Sequence, residues 1–424
     1  MSNSPKRIVI VGASLAGARA AHSVRAAGHD GPLTLIGAEP HLPYDRPPLS
    51  KEFLTGDQDP GTLALDPDGA YDDLDVEVML STHAVGLDTD ARVVMVAPAA
   101  GGNAETVPFD GLVIATGAAA RPLPGVGNMA GVHTLRTLDD SMAIREGLIA
   151  GARVSVVGGG FIGSEVAASA AARGCEVTVI EAAPAPLVRG LGAEMGTRVG
   201  ALHGHNGVEL RLGVGVDGVL GTDQVEAVAM ADGSRIPADL VVVGIGVVPN
   251  TAWLEGSGLQ VDNGVVCDAT LCCGPPGVYA VGDVARAPNG WLSPWHGDRP
   301  IRVEHWTAAV EHGMAVGRNL VAPAEAQPYS SVPFVWSDQY DARIQIAGHP
   351  DADDDVEVLV GSAADDPDTG SPDSGRSFLA GYRRNGRLSG VMALDAIRPF
   401  VRFRRLLAAH PSWDDALELA ATLN

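Results

Sequence analysis

The sequence predicts an α/β protein built from two parallel-sheet βαβ domains, one inserted in the other, plus a small C-terminal α+β domain. Three observations predict it. A buried-looking apolar strand, a glycine-spaced turn and a small-residue helix occur twice, as RIVIVGASLAG from Arg7 and RVSVVGGGFIGSEVA from Arg153. A third segment, GVYAVGDVA from Gly277, repeats the strand-then-glycine pattern late in the chain. From about Val332 the pattern changes to short strands and a hairpin.

Taken in order, Arg7–Val11 reads as a strand, Gly12–Gly17 as the turn, and a helix runs to about Ala27. Leu33–Ile36 is the next strand, ending near Glu39. The second copy runs through Val154–Val157, Gly158–Gly163 and an Ala-rich helix to the strand Glu176–Ile180, which ends at Glu181. Between the copies, FDGLVIATGAAARPLPG ends a strand at Ala115, Thr116 and Gly117, and ADLVVVGIGVVPN closes the second unit at Gly244–Asn250. The expected domains are therefore residues 1–114 with 248–328, residues 115–247, and residues 329–424. In the last, VPFVWSDQY, RIQIAG and VEVLVG read as strands, and SFLAGYRRNGRLSGVMAL reads as a hairpin turning at Asn385-Gly386. A helix near Phe400–His410 is expected to finish the domain, and 363–374 to be a loop.

The chain of 424 residues has room for two or three domains, and its 53 glycines suit many tight strand-to-helix turns. A net charge of −23 argues against nucleic-acid binding. No apolar signal core precedes the first strand, and the longest apolar run, Leu240–Pro249, is too short to cross a bilayer, so the expectation is a cytoplasmic protein with no membrane association. The four cysteines, Cys175, Cys267, Cys272 and Cys273, form no CxxC pair, and neither a disulfide framework nor a metal site is expected.

The two fingerprints are dinucleotide sites by their chemistry. Gly12 permits the sharp turn, Gly17 the close helix–strand packing, and the helix N-terminus between them offers free N–H groups to a pyrophosphate. Ser14 replaces the usual middle glycine, and an ordinary glycine-tolerant βα turn would read the same way. Glu39 is placed to accept hydrogen bonds from both ribose hydroxyls. The second fingerprint is complete, with Gly158, Gly160 and Gly163. Glu181 there would bond a free 2′-hydroxyl and repel a 2′-phosphate, predicting NADH in preference to NADPH, although Arg189 stands nearby. Two such Rossmann-like sites in one chain suggest two cofactors brought face to face. Asp283, expected at a helix start in GVYAVGDVA, is either a helix cap or a sugar-hydroxyl acceptor.

In order along the chain, GASLAG, HLPYDRPPLSKEFL, LVIATGA, LRTLDD, GGGFIGSEVA, VTVIE, GIGVVPN, GVYAVGDVA, VEHWTAA and WSDQY closely resemble the FAD-dependent, NADH-using ferredoxin reductases. These are the putidaredoxin-reductase-like and biphenyl-dioxygenase-reductase-like proteins of the glutathione-reductase superfamily. The resemblance implies FAD contacts from Gly12, Ser14, Ala16, Gly17, Glu39, Arg46, Lys51, Ala84, Thr116, Gly117, Arg136, Gly282, Asp283 and Trp306, with Trp336 a weaker flavin neighbour. Where the family often has Asp before the ribose-binding Glu, this chain has Ala38. The resemblance implies NAD contacts from Gly158, Gly160, Phe161, Ile162, Gly163, Glu181 and Gly246. It further places Glu165 near the nicotinamide opposite Lys51, as a positioning pair for hydride transfer; read from sequence alone, Glu165 is a helix N-terminal acid favoured by the dipole. No proton-transfer role falls to His305.

Disulfide reductases of that superfamily carry cysteines after the first βαβ unit. HLPYDRPPLSKEFL has none, so electrons must leave to an outside acceptor. The resemblance implies a small [2Fe–2S] ferredoxin serving a cytochrome P450 or a Rieske oxygenase. The alternatives are a rubredoxin or quinone reductase on the same scaffold, or a redox-responsive binding protein like apoptosis-inducing factor. The Arg376–Arg405 stretch holds eight arginines and one acid, Asp395. It reads either as a docking face for an acidic partner, with Arg383, Arg384, Arg387 and Arg402–Arg405 contributing, or as a face satisfied by ion pairs to the Asp-rich 351–368 region. Monomer and dimer both stay open.

Overall fold

The structure, a computed structural model, describes residues 5–127, 129–361 and 377–423. Two compact units emerge from its packing. The first comprises Met1–Asp45, Leu63–Ala119 and Val248–Pro333; the second comprises Arg46–Thr62, Ala120–Val247 and Phe334–Asn424.

In the first unit, five parallel strands run in the order Val278–Ala280, Gly111–Ile114, Ile8–Val11, Leu33–Ile36 and Glu77–Met79. Ile8–Val11 lies in the middle and every residue of it is buried. Its unbroken IVIV run, where an alternating pattern would suit a half-exposed strand, follows from being covered on both faces. The helix Leu15–Ala26 follows the first turn and packs along Trp306–Val321. Gly313 and Gly317 make this approach possible, since side chains there would strike Ala16, Arg19 and Ser23. A three-stranded antiparallel sheet, Thr82–Asp88, Val93–Pro98 and Glu105–Pro108, and a short parallel pair, Val265–Val266 with Ala285–Arg286, also belong to the unit. The antiparallel sheet contains Ala84, and sequence periodicity had not singled it out.

The second unit repeats the parallel design in the order Glu209–Leu212, Glu176–Glu181, Arg153–Val157, Leu240–Val243 and Val132–Thr134. Its C-terminal part is a five-stranded antiparallel sheet, ordered Phe334–Gln339, Ala342–Gly348, Arg387–Leu394, Phe378–Arg384 and Asp355–Gly361. The hairpin turns at Asn385-Gly386 with φ of 52° and 74°, the pair of positive values that a two-residue type I′ turn demands. Two helices follow where one was expected. Ile397–Leu407 is the first, and Trp413–Ala421 is a second that starts with a Ser412–Asp415 capping box. The helix Val188–His205 buries Leu191, Met195, Val199 and Leu202 against Ile344, Phe378, Tyr382 and Met392 of this sheet, and the Tyr382 hydroxyl donates to the Leu191 carbonyl at 2.9 Å. Among the described residues, no helix is long and apolar enough to cross a membrane. Arg376, the expected 363–374 loop and the acidic stretch beyond residue 361 fall outside the described residues.

Candidate functional site

The two fingerprints form matching cradles. At Gly12, φ is +120° and a Cβ would strike the Ala115 carbonyl; at Gly17 a Cβ would strike the Gly12 carbonyl. In the second unit Gly158, at φ +107°, abuts the Gly244 carbonyl, and Gly163 abuts that of Gly158. Each first glycine thus lets the turn pass under the neighbouring strand, and each last glycine lets the helix sit on the turn. Ser14 and Gly160 occupy the same N-cap place on helices Leu15–Ala26 and Phe161–Ala172, both with extended backbone.

Both helix N-termini suit an anion. Neither first turn holds an acidic side chain, so no acid of the helix itself competes for its unpaired N–H groups. A Cβ built on Gly160 would meet no protein atom within 4 Å, nor would one on Gly246; the space a side chain would fill is left open beside the N–H groups. Ile162 is 46% exposed, while Phe161 packs against the core under the C-terminal sheet. These residues fit a dinucleotide phosphate.

The acids beyond the second strands differ in detail. Glu181 is the last residue of its strand, and its two oxygens accept the N–H groups of Gly159 and Ala183, both at 2.8 Å. Its carboxylate is therefore held against the fingerprint turn. Glu39 lies three residues past its strand, and its Oε2 accepts from the Tyr44 hydroxyl at 2.5 Å.

Three further segments of the first unit converge on its cradle. Thr116 and Gly117 are tied to Asn250: the Asn250 side-chain amide donates to the Thr116 carbonyl at 2.8 Å, the Thr116 hydroxyl donates to the Asn250 carbonyl at 2.9 Å, and the Asn250 N–H reaches the Gly117 carbonyl. Gly282, at φ +68°, faces Ala16, whose Cβ would be 3.0 Å from any side chain placed there. Asp283 does not begin an α-helix as expected; Gly282–Val284 is a single 3-10 turn leading straight into the short strand Ala285–Arg286. Buried His312 holds this corner, its Nδ1 accepting from the Gly282 N–H at 3.3 Å. Burial pushes its pKa down to about 4, so the ring stays neutral and able to accept. Trp306 opens its helix and donates from Nε1 to Asp45 at 2.7 Å.

Arg46, Lys51 and Arg136 belong to the second unit. Arg46 donates to the Arg136 carbonyl, and the Arg136 N–H to Asp140 at 2.9 Å. The 3-10 turn Pro47–Ser50 is pinned by two buried hydroxyls, Ser141 donating to the Leu49 carbonyl at 2.6 Å and Ser169 to the Ser50 carbonyl at 2.7 Å. This anchoring sets Lys51 against helix Phe161–Ala172, where its Nζ lies 2.9 Å from Glu165 Oε2. Glu165 is 3% exposed and is the fifth residue of that helix, beyond the first turn. A simple dipole partner would sit nearer the end and in solvent; this carboxylate is instead built into the interior. The Ser50 hydroxyl donates to Oε2 at 2.5 Å and the Ser337 hydroxyl to Oε1 at 2.6 Å. Sequence reading missed Ser50 and Ser337, although both lie inside segments it singled out, DRPPLSK and WSDQY. Trp336 stacks on Phe334, ring centres 5.7 Å apart.

Three of the four thiols, those of Cys175, Cys272 and Cys273, are poorly suited to redox exchange. Burial pushes the Cys175 and Cys272 pKa values up, and the contact with Cys267 raises that of Cys273 well above the ordinary thiol range.

Comparison with known proteins shows the family to which the chain belongs. Residues 6–313 match the family model of pyridine nucleotide-disulphide oxidoreductases, and residues 334–421 match a reductase C-terminal domain. Rhodocoxin reductase of Rhodococcus erythropolis is 36% identical over 404 residues, 95% of this chain and 89% of that protein. The ferredoxin–NAD(+) reductase component of an anthranilate 1,2-dioxygenase system from Burkholderia cepacia is 35% identical over 96% of this chain and 95% of its own. In a solved covalent putidaredoxin reductase–putidaredoxin complex, one chain superposes with a TM-score of 0.88 over 99% of both chains at 31% identity. The chain belongs to the pyridine nucleotide-disulphide oxidoreductase family, in the form that carries the reductase C-terminal domain.

Proposed function

We propose that this chain is a ferredoxin–NAD(+) reductase that passes electrons from NADH through FAD to a small [2Fe–2S] ferredoxin of an oxygenase system. The observation that carries the reading is what occupies the His41–Leu54 segment: Lys51 bonded to Glu165, and no cysteine. A disulfide reductase needs a thiol there; this chain offers an ion pair and must give its electrons to an external acceptor.

The domain assignment accompanies that reading. Residues 1–114 and 248–328 form the FAD domain, 115–247 the NAD domain, and 329–424 the C-terminal domain. The Gly12–Gly17 cradle with Ala16, Glu39, Ala84, Thr116, Gly117, Gly282, Asp283 and Trp306 would hold FAD, assisted by Arg46, Lys51 and Arg136. Gly158, Gly160, Phe161, Ile162, Gly163, Glu181 and Gly246 would hold NADH. FAD, when bound, supplies an acceptor that takes a hydride and releases single electrons, chemistry no side chain here provides. Lys51 and Glu165 position the hydride donor and balance the changing charge of the acceptor; neither exchanges a proton. Glu181, already anchored by two backbone N–H groups, receives the ribose hydroxyls and disfavours a 2′-phosphate.

The partner face is narrower than the arginine-rich stretch. Arg383 pairs with Asp355 at 3.0 Å and lies over Trp413, Arg384 pairs with Asp354 at 2.6 Å, Arg387 donates to the His410 carbonyl, and Arg404 lies over Phe334. These four are engaged inside the domain. Arg398, Arg402 and Arg405 are exposed on the Ile397–Leu407 helix and have no carboxylate partner among the described residues. Spaced four and three apart, they share one face with exposed Ile397 and Val401. An acidic ferredoxin fits that face by charge. The test is NADH-driven cytochrome c reduction that depends on added ferredoxin, measured from low to high salt. R402E/R405E should slow it at low salt and flatten its salt dependence while leaving direct ferricyanide reduction intact. An unchanged salt dependence would remove this helix from the docking face.

A further inference from the structure

Glu165 is held at both of its oxygens, and only one of these is explained by Lys51. Oε2 takes Lys51 at 2.9 Å and the Ser50 hydroxyl at 2.5 Å. Oε1 takes the Ser337 hydroxyl at 2.6 Å, from the first strand of the C-terminal sheet, 172 residues away. Behind Ser337 stands Gln339, two residues on and therefore on the same face of the strand. Its Nε2 lies 3.2 Å from the Ser337 oxygen. Ser337 and Gln339 are both fully buried, at 0% exposure.

The chain of donors has one direction. A serine hydroxyl has one proton to give and can accept as well. With the Gln339 N–H group directed at the serine oxygen, the serine proton is committed to Glu165. The reverse amide orientation would leave two acceptors competing for that proton. The Gln339 carbonyl oxygen is buried with no hydrogen-bond partner among the described residues, a cost that an apolar residue of similar size would avoid. The polar pair is thus poorly accounted for as core packing alone and well accounted for as a mount for the carboxylate.

We propose that Ser337 and Gln339 are positioning residues: from the C-terminal sheet they fix the plane of the Glu165 carboxylate, so that Oε2 stays aimed at Lys51 during hydride transfer. The proposal rests on the reductase reading for the reaction it affects. It gives the C-terminal domain a role in the chemical step in addition to any role in docking.

The test uses the FAD-loaded protein and the variants S337A, S337T and Q339M. The first readout is the infrared carboxylate stretch of Glu165, assigned by its absence in E165Q. S337A should shift this band, S337T should return it to the wild-type position, and Q339M should shift it less than S337A does. The second readout is anaerobic flavin bleaching by NADH. S337A should lower the limiting rate on the order of tenfold, the scale for losing a hydrogen bond to a charged group, with the half-saturating NADH concentration nearly unchanged and S337T recovering most of the rate. An unmoved band in both S337A and Q339M would overturn the proposal, as would a rate loss that only tracks the loss of folded protein. If wild-type flavin is not bleached by NADH while S337A still moves the band, the reductase reading fails and the mount stands.

Discussion

Replacing Lys51 by Met should destabilise the protein more than replacing Glu165 by Met, and the double replacement should restore much of the loss. The two charges are 2.9 Å apart, an attraction of about 6 kcal/mol at an effective dielectric near 20. Most of that offsets the removal of a carboxylate with 3% exposure from water. In K51M the carboxylate stays buried with only the Ser50 and Ser337 hydroxyls as donors. Breaking a buried pair in this way costs 3–5 kcal/mol in general, and two surviving donors place this case at about 3 kcal/mol. In E165M the ammonium is better off. It is 12% exposed, keeps the Pro47 carbonyl at 3.0 Å and has a flexible stem to reach water, so about 1–2 kcal/mol is expected. The double variant K51M/E165M leaves no buried charge and should lie within about 1 kcal/mol of wild type. Urea unfolding followed by tryptophan fluorescence, with Trp336 and Trp413 reporting on the second unit, measures all four proteins. Equal single-variant costs that add in the double variant would refute the reasoning, because they would mean the pair is solvated and uncoupled.

Three other outcomes follow from the geometry. E181A removes the acceptor for Gly159 and Ala183 and the repulsion toward a 2′-phosphate, so kcat/KM for NADH should fall by about tenfold or more while NADPH loses less; steady-state kinetics with both nucleotides would contradict this if the ratio did not move. His312 titrates near 4 in the folded protein against 6.5 for an exposed ring. Its neutral form therefore adds stability that is complete above pH 6.5 and is lost as pH falls toward 4, on the order of 3 kcal/mol at most. Melting temperatures from pH 7 to 4 should fall less steeply in H312N than in wild type, with His203 making a contribution of the same sign in both proteins; parallel declines would rule His312 out as a source. R398E should act with R402E/R405E, each reversal lowering ferredoxin-dependent turnover at low salt and none altering flavin reduction by NADH.

What the sequence made legible is local. The fully buried strands Ile8–Val11 and Leu33–Ile36 were visible as apolar runs bounded by glycine, and both fingerprints appear with their glycines doing the steric work that their spacing implies. Asn385-Gly386 was readable for the same reason, since a two-residue turn needs two positive φ values. Trp413–Ala421 was missed although its capping signal, Ser412 followed by Asp415, was in plain view. Asp283 was placed at a helix start because acids favour such places, yet the next residues turn into a strand. The surroundings of Glu165 lie beyond local reading. Its partners are 115 and 172 residues away, and serine in a motif carries no sign of which carboxylate it will meet. That the Arg46–Thr62 segment packs with the second unit is a tertiary fact of the same kind. The arginine-rich stretch split in two because the acids that engage Arg383 and Arg384 come from a strand and loop some 30 residues earlier.

The most direct test of the central claim is anaerobic stopped-flow absorbance of the FAD-loaded protein mixed with NADH and then with an oxidised [2Fe–2S] ferredoxin. Rapid flavin bleaching, followed by one-electron reduction of the iron–sulfur protein and return of oxidised flavin, is the predicted result. Bleaching that persists unchanged in the presence of several such ferredoxins would contradict the assignment of the acceptor, and no bleaching with NADH would contradict the reading of Glu181 and the site built around Lys51 and Glu165.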